Sequence, residues 1–216
     1  MKKYKMLIFD MDGTILYTLE DLKNTTNYAL SEHGFPERTL EEVRQFVGNG
    51  IHKLIERAVP AGTSDADIEA VFTTFEIYYK DHCMDTTRPY DGINDLLTKL
   101  RAQGYMTAVV SNKVDFAVQD LVKDFFVGQF DVAIGERKGV RKKPAPDSVY
   151  EVLKEFDLKK DEVIYIGDSD VHYATAKNAG VDCILVEWGF RDRAFLESLG
   201  ATVFAKKPED ILDIVE

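Results

Sequence analysis

The sequence is poor in cysteine and has no long apolar run. Its two cysteines, Cys83 and Cys183, lie far apart and form no CxxC motif, so neither a metal–thiolate site nor a disulfide framework is indicated. We expect both to be reduced packing residues. No stretch of about 18 apolar residues is present, and the run Met6–Phe9 ends too early for a signal peptide. These absences predict a cytoplasmic protein with no membrane partner.

Positive charge is also scarce. The chain has 27 lysines and arginines against 38 aspartates and glutamates, a formal net charge of −11. This balance argues against a nucleic-acid partner bound through a basic face. A small anionic ligand is not excluded, because helix N-termini, a lysine or a bound cation can make a cleft locally positive. With 45% apolar residues among 216, the chain can bury a core and form one domain or two.

The most informative segment is Asp10-Met11-Asp12-Gly13-Thr14, directly after the predicted strand Met6–Phe9. Residues two apart on a strand share one face, so the two carboxylates are expected to lie close together. Like charges at such a distance are costly unless a cation lies between them, and carboxylates are ligands for Mg²⁺. An aspartate can also be a nucleophile that forms an aspartyl-phosphate. Taken alone, the segment is also compatible with an Asx-turn after a strand.

Three further motifs follow along the chain. Ser111-Asn112-Lys113 comes after the apolar residues 107–110, and Gly167-Asp168-Ser169 comes after residues 163–166. Lys143-Pro144-Ala145-Pro146-Asp147 lies between them. Polar residues at the carboxyl ends of strands are typical of ligand chemistry in an open α/β sheet. In this order the four motifs resemble those of the haloacid dehalogenase (HAD) superfamily of phosphohydrolases, and the resemblance covers nearly the whole chain.

This resemblance implies an α/β fold, a doubly wound and mostly parallel sheet (the HAD Rossmann-like core) with an inserted all-helical cap domain. The apolar periodicity agrees, because residues 16–87 contain no convincing strand. Amphipathic helices are predicted there at 19–33, 40–46, 51–59 and 65–83. Elsewhere strands (106–110, 131–134, 163–166, 183–186, 202–204) alternate with helices (93–103, 116–124, 147–156, 173–179, 194–199), which indicates crossover connections.

We therefore expect a core formed by residues 1–15 and 88–216 and a cap formed by residues 16–87. In position and character this cap resembles that of the subfamily containing phosphoglycolate phosphatases and β-phosphoglucomutases. Such a cap is expected to close over the core and to select the leaving group.

The resemblance also implies roles for the acidic residues. Asp10 matches the family's nucleophile, and Asp12 matches the general acid that protonates the leaving alkoxide and then activates water. The expected cofactor is Mg²⁺, held by Asp10, Asp168 and the backbone carbonyl of Asp12.

Three other residues match phosphate-contacting positions. Ser111 and Asn112 are expected to hold phosphate oxygens through a hydroxyl and an adjacent backbone N–H. By themselves they would indicate only a turn. Lys143 is expected to contact both the nucleophile and the transferring phosphoryl group, and it is the catalytic lysine of the set. Its basic neighbours are expected to form a solvated loop.

Two positions depart from the family pattern. Many relatives have a second acid four residues after the motif aspartate, where this chain has His172. We interpret His172 as an outer contact of the metal site, a pH-sensitive group near the metal, or a surface histidine at a helix start. Tyr17 replaces the commoner aspartate or asparagine at the core-to-cap junction, and we expect it to affect the cap rather than the nucleophile.

The sequence thus predicts a Mg²⁺-dependent phosphatase of small phosphorylated metabolites that acts through an aspartyl-phosphate. Residues 43–50 and the segment around Trp188 most resemble phosphoglycolate phosphatases, although Trp188 is expected only to pack. A sugar phosphomutase and a pyrophosphatase of the same family remain alternatives, a dehalogenase is less favoured, and a degenerate regulatory homologue is the alternative from another class. A monomer or a homodimer is expected.

Overall fold

The chain forms two compact units in a computed structural model that describes residues 3–216. One unit contains the described residues up to Leu16 together with Pro89–Glu216, and the other contains Tyr17–Arg88. The boundaries between the units lie after Leu16 and after Arg88, each one residue later than the boundary expected from the sequence. Within residues 3–216, no helix is both long and apolar enough to cross a membrane.

A six-stranded sheet is the centre of the first unit. Its strands are β1 (Met6–Phe9), β4 (Met106–Val114), β5 (Val132–Glu136), β6 (Val163–Gly167), β7 (Asp182–Val186) and β8 (Phe204–Ala205). Their spatial order is β5-β4-β1-β6-β7-β8, and each of these neighbouring pairs is parallel. Two short strands, β2 (Leu16–Tyr17) and β3 (Arg88–Pro89), pair where the chain crosses between the units. The predicted doubly wound, mostly parallel sheet is confirmed.

The second unit is helical apart from its end residues. It contains α1 (Leu19–Glu32), α2 (Leu40–Phe46), α3 (Ile51–Ala58) and α4 (Asp65–His82), which correspond to the four predicted helices. Side-chain caps explain two of the helix starts. The Thr39 hydroxyl accepts a hydrogen bond from the Glu42 backbone N–H, and Ser64 accepts one from Asp67 N–H.

Helices cover both faces of the large sheet. They are α5 (Ile93–Ala102), α6 (Asp115–Phe125), α7 (Asp147–Glu155), α8 (Asp170–Ala179), α9 (Arg193–Ser198) and α10 (Glu209–Val215). Strand β1 shows why its sequence is continuously apolar. Leu7 and Phe9 belong to the core cluster that includes residues of α5, α6 and α10, whereas Met6 and Ile8 belong to the cluster that includes residues of α7 and α8.

The structure differs from the sequence-based elements in several places. Strands β2 and β3 were not expected, and β8 is shorter than the predicted strand 202–204. Strand β4 continues through Ser111-Asn112-Lys113 to Val114. Its register with β5 shifts across these three residues, and pairing resumes where Val114 lies opposite Glu136. Helix α8 begins at Asp170, three residues earlier than predicted. Helix α10 was not predicted, although its Ile211, Leu212 and Val215 are buried.

Candidate active site

The candidate site lies at the carboxyl edge of the parallel sheet. Because β4, β1 and β6 are adjacent, Ser111 within β4, Asp10 after β1 and Asp168 after β6 come from neighbouring strands. The Asp10 backbone N–H donates to Ile166 O at 2.8 Å, which continues the ladder of β1 and β6 to the first motif residue. Asp10 and Asp168 are both buried, with exposures of 3% and 0%. The sheet therefore brings together motifs that are far apart in the sequence.

Glycines make room for Asp168. Gly13 has a positive φ of 82°, and a Cβ placed on it would overlap the Asp168 carboxylate and touch Phe190. A Cβ on Gly189 would overlap the same carboxylate from another segment of the chain. The Phe190 backbone N–H donates to Asp168 Oδ2 at 2.7 Å. These close approaches fix the carboxylate, and a side chain at either glycine would displace it.

Lys143 is a buried ammonium with three acceptors. Its Nζ donates to Asp10 Oδ1 at 2.5 Å, to Val110 O at 2.8 Å and to the Tyr165 hydroxyl at 3.1 Å. The Tyr165 hydroxyl in turn donates to Val110 O at 3.1 Å. Burial acts to raise the pKa of Asp10, but the positive charges of His172 and Lys143 outweigh it and hold that pKa below its usual range. Asp10 is therefore kept ionised.

Asn112 fixes the backbone of Lys143. The Asn112 Nδ2 donates to Lys143 O at 3.0 Å, and Lys143 N–H donates to Asn112 Oδ1 at 2.8 Å. The Asn112 side chain is thus engaged by backbone, which leaves its own backbone N–H as the group for the predicted phosphate contact. Ser111 Oγ accepts from Lys113 N–H at 3.1 Å and keeps its hydroxyl hydrogen for another acceptor.

Asp12 forms an ion pair with a second buried lysine, Lys113. Lys113 Nζ lies 3.0 Å from Asp12 Oδ1, and the Lys113 side chain is only 3% exposed. Each aspartate of the first motif therefore faces one buried ammonium, that of Lys143 for Asp10 and that of Lys113 for Asp12. Sequence reasoning gave Lys113 no role, and its only signal was its place in the second motif, next to two predicted phosphate contacts.

His172 lies inside the site. The residue is 4% exposed, with Nε2 at 3.3 Å from Asp10 Oδ1 and Nδ1 at 3.0 Å from Asp168 Oδ1. A Cβ on Gly167 would overlap the imidazole, so the motif glycine makes space for the ring. Burial acts to lower the pKa of His172, but the Asp10 charge outweighs it and raises that pKa above its ordinary value. The interpretation of His172 as a surface residue is wrong, although it does lie at a helix start.

Asp10, Asp168 and His172 could hold a metal ion. Their ligand atoms lie within 4.8 Å of one another, and all three residues are buried. Asp168 Oδ1 is buried and lies 3.0 Å from His172 Nδ1, so a cation bound at this oxygen would share or replace that contact. Two buried carboxylates suit a hard divalent cation such as Mg²⁺. The predicted ligands Asp10 and Asp168 fit the cluster, and Asp12 would add its backbone oxygen.

Trp188 and Tyr17 are the two other residues that the sequence singled out. Trp188 Nε1 donates to Thr14 O at 3.0 Å and so packs against the loop that follows Asp12, which is a structural contact. Tyr17 belongs to the helical unit, where the Arg88 guanidinium lies 4.6 Å from its ring centroid.

Comparison with known proteins gives the family. The family model for haloacid dehalogenase-like hydrolases matches residues 7–186, which include all four motifs. The chain belongs to this family. This HAD-family chain is a phosphatase, a hydrolase of phosphoric monoesters.

Its relatives include characterised classes of phosphatase. The chain is similar to a phosphoglycolate phosphatase of Pseudomonas putida, with 30% identity over 216 residues that cover 97% of this chain and 76% of the relative. An N-acetylmuramic acid 6-phosphate phosphatase of Pseudomonas aeruginosa is 27% identical, covering 99% and 96% of the two chains.

Among solved structures, one from Lactobacillus delbrueckii subsp. bulgaricus carries the provisional name phosphoglycolate phosphatase. It is 39% identical, covers 100% of this chain and 99% of its own, and superposes with a TM-score of 0.95. The relatives that this HAD phosphatase resembles are thus named for small phosphorylated substrates.

Proposed function

We propose that the protein is a Mg²⁺-dependent phosphatase of small phosphorylated metabolites that acts through an aspartyl-phosphate at Asp10. The observation that carries the proposal is the buried pair of Asp10 and Lys143 at 2.5 Å, beside Asp168 at the edge of the sheet. Family membership, the motif order and the geometry support the same assignment.

In the first half-reaction Asp10 attacks phosphorus. Its Oδ1 already contacts Lys143 and His172, whereas among residues 3–216 Oδ2 receives one long hydrogen bond, from Thr14 Oγ1 at 3.5 Å. We therefore assign Oδ2 as the attacking atom. The new Oδ2–P bond forms as the ester P–O bond breaks, and Asp12 gives its proton to the leaving oxygen.

In the second half-reaction water attacks the aspartyl-phosphate. Asp12, now a carboxylate, takes a proton from that water, the P–Oδ2 bond breaks, and Asp10 and inorganic phosphate are released. Lys143, the Ser111 hydroxyl and the Asn112 backbone N–H hold the phosphoryl oxygens in place. Positioning and charge neutralisation dominate the barrier of phosphoryl transfer, so these contacts matter as much as the nucleophile. Mg²⁺, held by Asp10, Asp168 and the Asp12 carbonyl, would neutralise negative charge on the phosphoryl group.

The names of the similar proteins make phosphoglycolate the first candidate substrate. The relatives from Pseudomonas putida and Lactobacillus delbrueckii are both named as phosphoglycolate phosphatases, the second provisionally. The Pseudomonas aeruginosa relative named for N-acetylmuramic acid 6-phosphate keeps a sugar phosphate as the second candidate. A phosphomutase would use the same aspartyl-phosphate but return the phosphoryl group to a sugar.

The deciding experiment is phosphate release from a panel of substrates. The purified full-length protein is incubated with Mg²⁺ and 2-phosphoglycolate, N-acetylmuramic acid 6-phosphate, glucose 1-phosphate, a nucleoside monophosphate or pyrophosphate. We expect stoichiometric free phosphate from 2-phosphoglycolate, loss of activity with EDTA and recovery with Mg²⁺. Isomerised sugar phosphate without free phosphate would identify a mutase instead. Absence of turnover on every substrate would contradict the proposal and favour a regulatory protein.

A further inference from the structure

The ion pair of Lys113 and Asp12 is not explained by the chemistry at phosphorus. The Lys143 ammonium already pairs with Asp10, and its three hydrogen bonds go to Asp10, Val110 O and the Tyr165 hydroxyl. Lys113 lies on the side of the general acid, with Nζ 3.0 Å from Asp12 Oδ1. Burying an ammonium is costly unless negative charge compensates it, so a second buried lysine requires a reason.

The backbone around Lys113 is held rigidly. Lys113 N–H donates to Ser111 Oγ at 3.1 Å, and Gly135 of the neighbouring strand packs so closely that a Cβ there would overlap Lys113 O and the Asp115 backbone. Gly135 N–H also donates to Asp115 Oδ1 at 2.8 Å. The ammonium therefore projects from a fixed strand end, and its position relative to Asp12 does not depend on a mobile loop.

The place of Asp12 in the reaction defines what Lys113 faces. A general acid must lie within roughly 2.6–3.2 Å of the leaving oxygen, directly or through one water. Since Lys113 Nζ is 3.0 Å from the same carboxylate, a directly protonated leaving oxygen lies within about 6 Å of the ammonium. Any charged group one or two bonds beyond that oxygen comes within range of a direct ion pair.

We propose that Lys113 is a specificity residue that binds a negative charge on the leaving group. The substrate class is a phosphate monoester whose alcohol carries a carboxylate bonded directly to the ester carbon. This inference rests on the proposed function and deepens it. Such a carboxylate shares the ammonium with Asp12 and adds a second charged contact, which a neutral alcohol does not provide.

A pair of matched esters tests the idea in the unmodified protein. 2-Phosphoglycolate and 2-hydroxyethyl phosphate have the same chain length and differ in a carboxylate against a hydroxymethyl group. We expect kcat/KM of the full-length Mg²⁺-loaded enzyme to be higher for 2-phosphoglycolate by about 10- to 100-fold, the range of one hydrogen-bonded charge. Equal kcat/KM values for the two esters would overturn the inference.

The substitution Lys113→Met then separates recognition from support of Asp12. We expect it to lower kcat/KM for 2-phosphoglycolate about 10- to 100-fold more than for 2-hydroxyethyl phosphate, mainly through KM. Lys113→Arg keeps the charge and is expected to retain most of the preference. Lys5→Met is the matched control, because Lys5 pairs with Glu162 at the opposite end of β1, and we expect it to leave the preference unchanged.

The outcomes of these experiments are distinct. Equal losses on both esters in Lys113→Met would mean that Lys113 only orients Asp12, and the inference would be wrong while the phosphatase assignment stands. If Lys113→Met does not fold, the comparison in the unmodified protein and in Lys113→Arg still decides. Failure of the unmodified enzyme to hydrolyse any phosphate monoester would instead contradict the proposed function.

Discussion

Lys143 Nζ and Asp10 Oδ1 lie 2.5 Å apart, and their side chains are 2% and 4% exposed. At this burial the two charges interact in a medium of low dielectric, so removing either partner is far more damaging than at the surface. The pair keeps Asp10 ionised, because the ammonium and His172 together outweigh the effect of burial on its pKa. A nucleophile held in its charged form beside a phosphoryl-binding cation is the central feature of the site.

The first prediction concerns Asp10→Asn. The amide keeps the size of the side chain but cannot supply the attacking carboxylate, so turnover should fall by at least about 1000-fold. The circular dichroism spectrum should remain that of the folded, unmodified protein. Asp182→Asn is the matched control, since Asp182 is a paired aspartate that accepts from Lys3 and Tyr4 at the other end of the strands. Turnover like that of the control, with deamidation excluded by mass spectrometry, would refute Asp10 as the nucleophile.

The second prediction concerns Asp12→Asn and the basicity of the leaving group. Protonation by a general acid contributes about 10²- to 10⁴-fold when the leaving alkoxide is strongly basic and little when it is an activated phenolate. We expect kcat/KM to fall at least about 100-fold for an alkyl phosphate and less than about 10-fold for p-nitrophenyl phosphate. Because kcat/KM reports the first half-reaction, equal losses on the two esters would count against Asp12 as the acid.

The sequence was sufficient to predict the sheet and the strands β1 and β6 that the first and fourth motifs follow, although β4 runs on through the second motif. Continuous apolar runs such as Met6–Phe9 indicate strands buried on both faces. Polar residues directly after such a run indicate the edge of the sheet where ligands bind. The four helices of Tyr17–Arg88 were also predictable, because their apolar spacing and the caps at Thr39 and Ser64 are local signals.

Contacts made by tertiary structure could not be predicted in this way. The Asn112 amide contacts the Lys143 backbone, and the Tyr165 hydroxyl contacts the Lys143 ammonium, only because β4 and β6 flank β1. Likewise, the burial of His172 depends on the space that Gly167 leaves at the end of β6.

The third prediction concerns His172→Asp. The imidazole lies against Asp10 and Asp168, so replacing it with a carboxylate adds negative charge beside two predicted metal ligands. We expect Mg²⁺ to bind about 10- to 100-fold more tightly, the usual effect of groups just outside a metal's ligands. Isothermal titration of the metal-free proteins measures this without relying on activity. His52→Asp in α3, where His52 pairs with Glu56, is the control, and identical affinities in all three proteins would place His172 outside the metal site.

The last prediction assigns a positioning role to Tyr165. Its hydroxyl accepts from Lys143 Nζ and donates to Val110 O, so Tyr165→Phe removes one of the three acceptors of the buried ammonium. A net loss of roughly 1–2 kcal/mol at this contact corresponds to a fall in kcat of about 5- to 30-fold, with KM changing less than about 3-fold because the phosphate contacts remain.

Tyr105→Phe provides the matched control for this prediction. Tyr105 is also buried in the first unit, directly before the start of β4, and its hydroxyl donates to Val215 O at 3.0 Å. Both variants lose a buried hydroxyl, so both should melt at a somewhat lower temperature in a thermal unfolding scan, but only Tyr165→Phe should lose kcat. If the two variants show the same kcat, Tyr165 contributes only to stability, because a residue that orients Lys143 must affect the step in which the phosphoryl group is transferred.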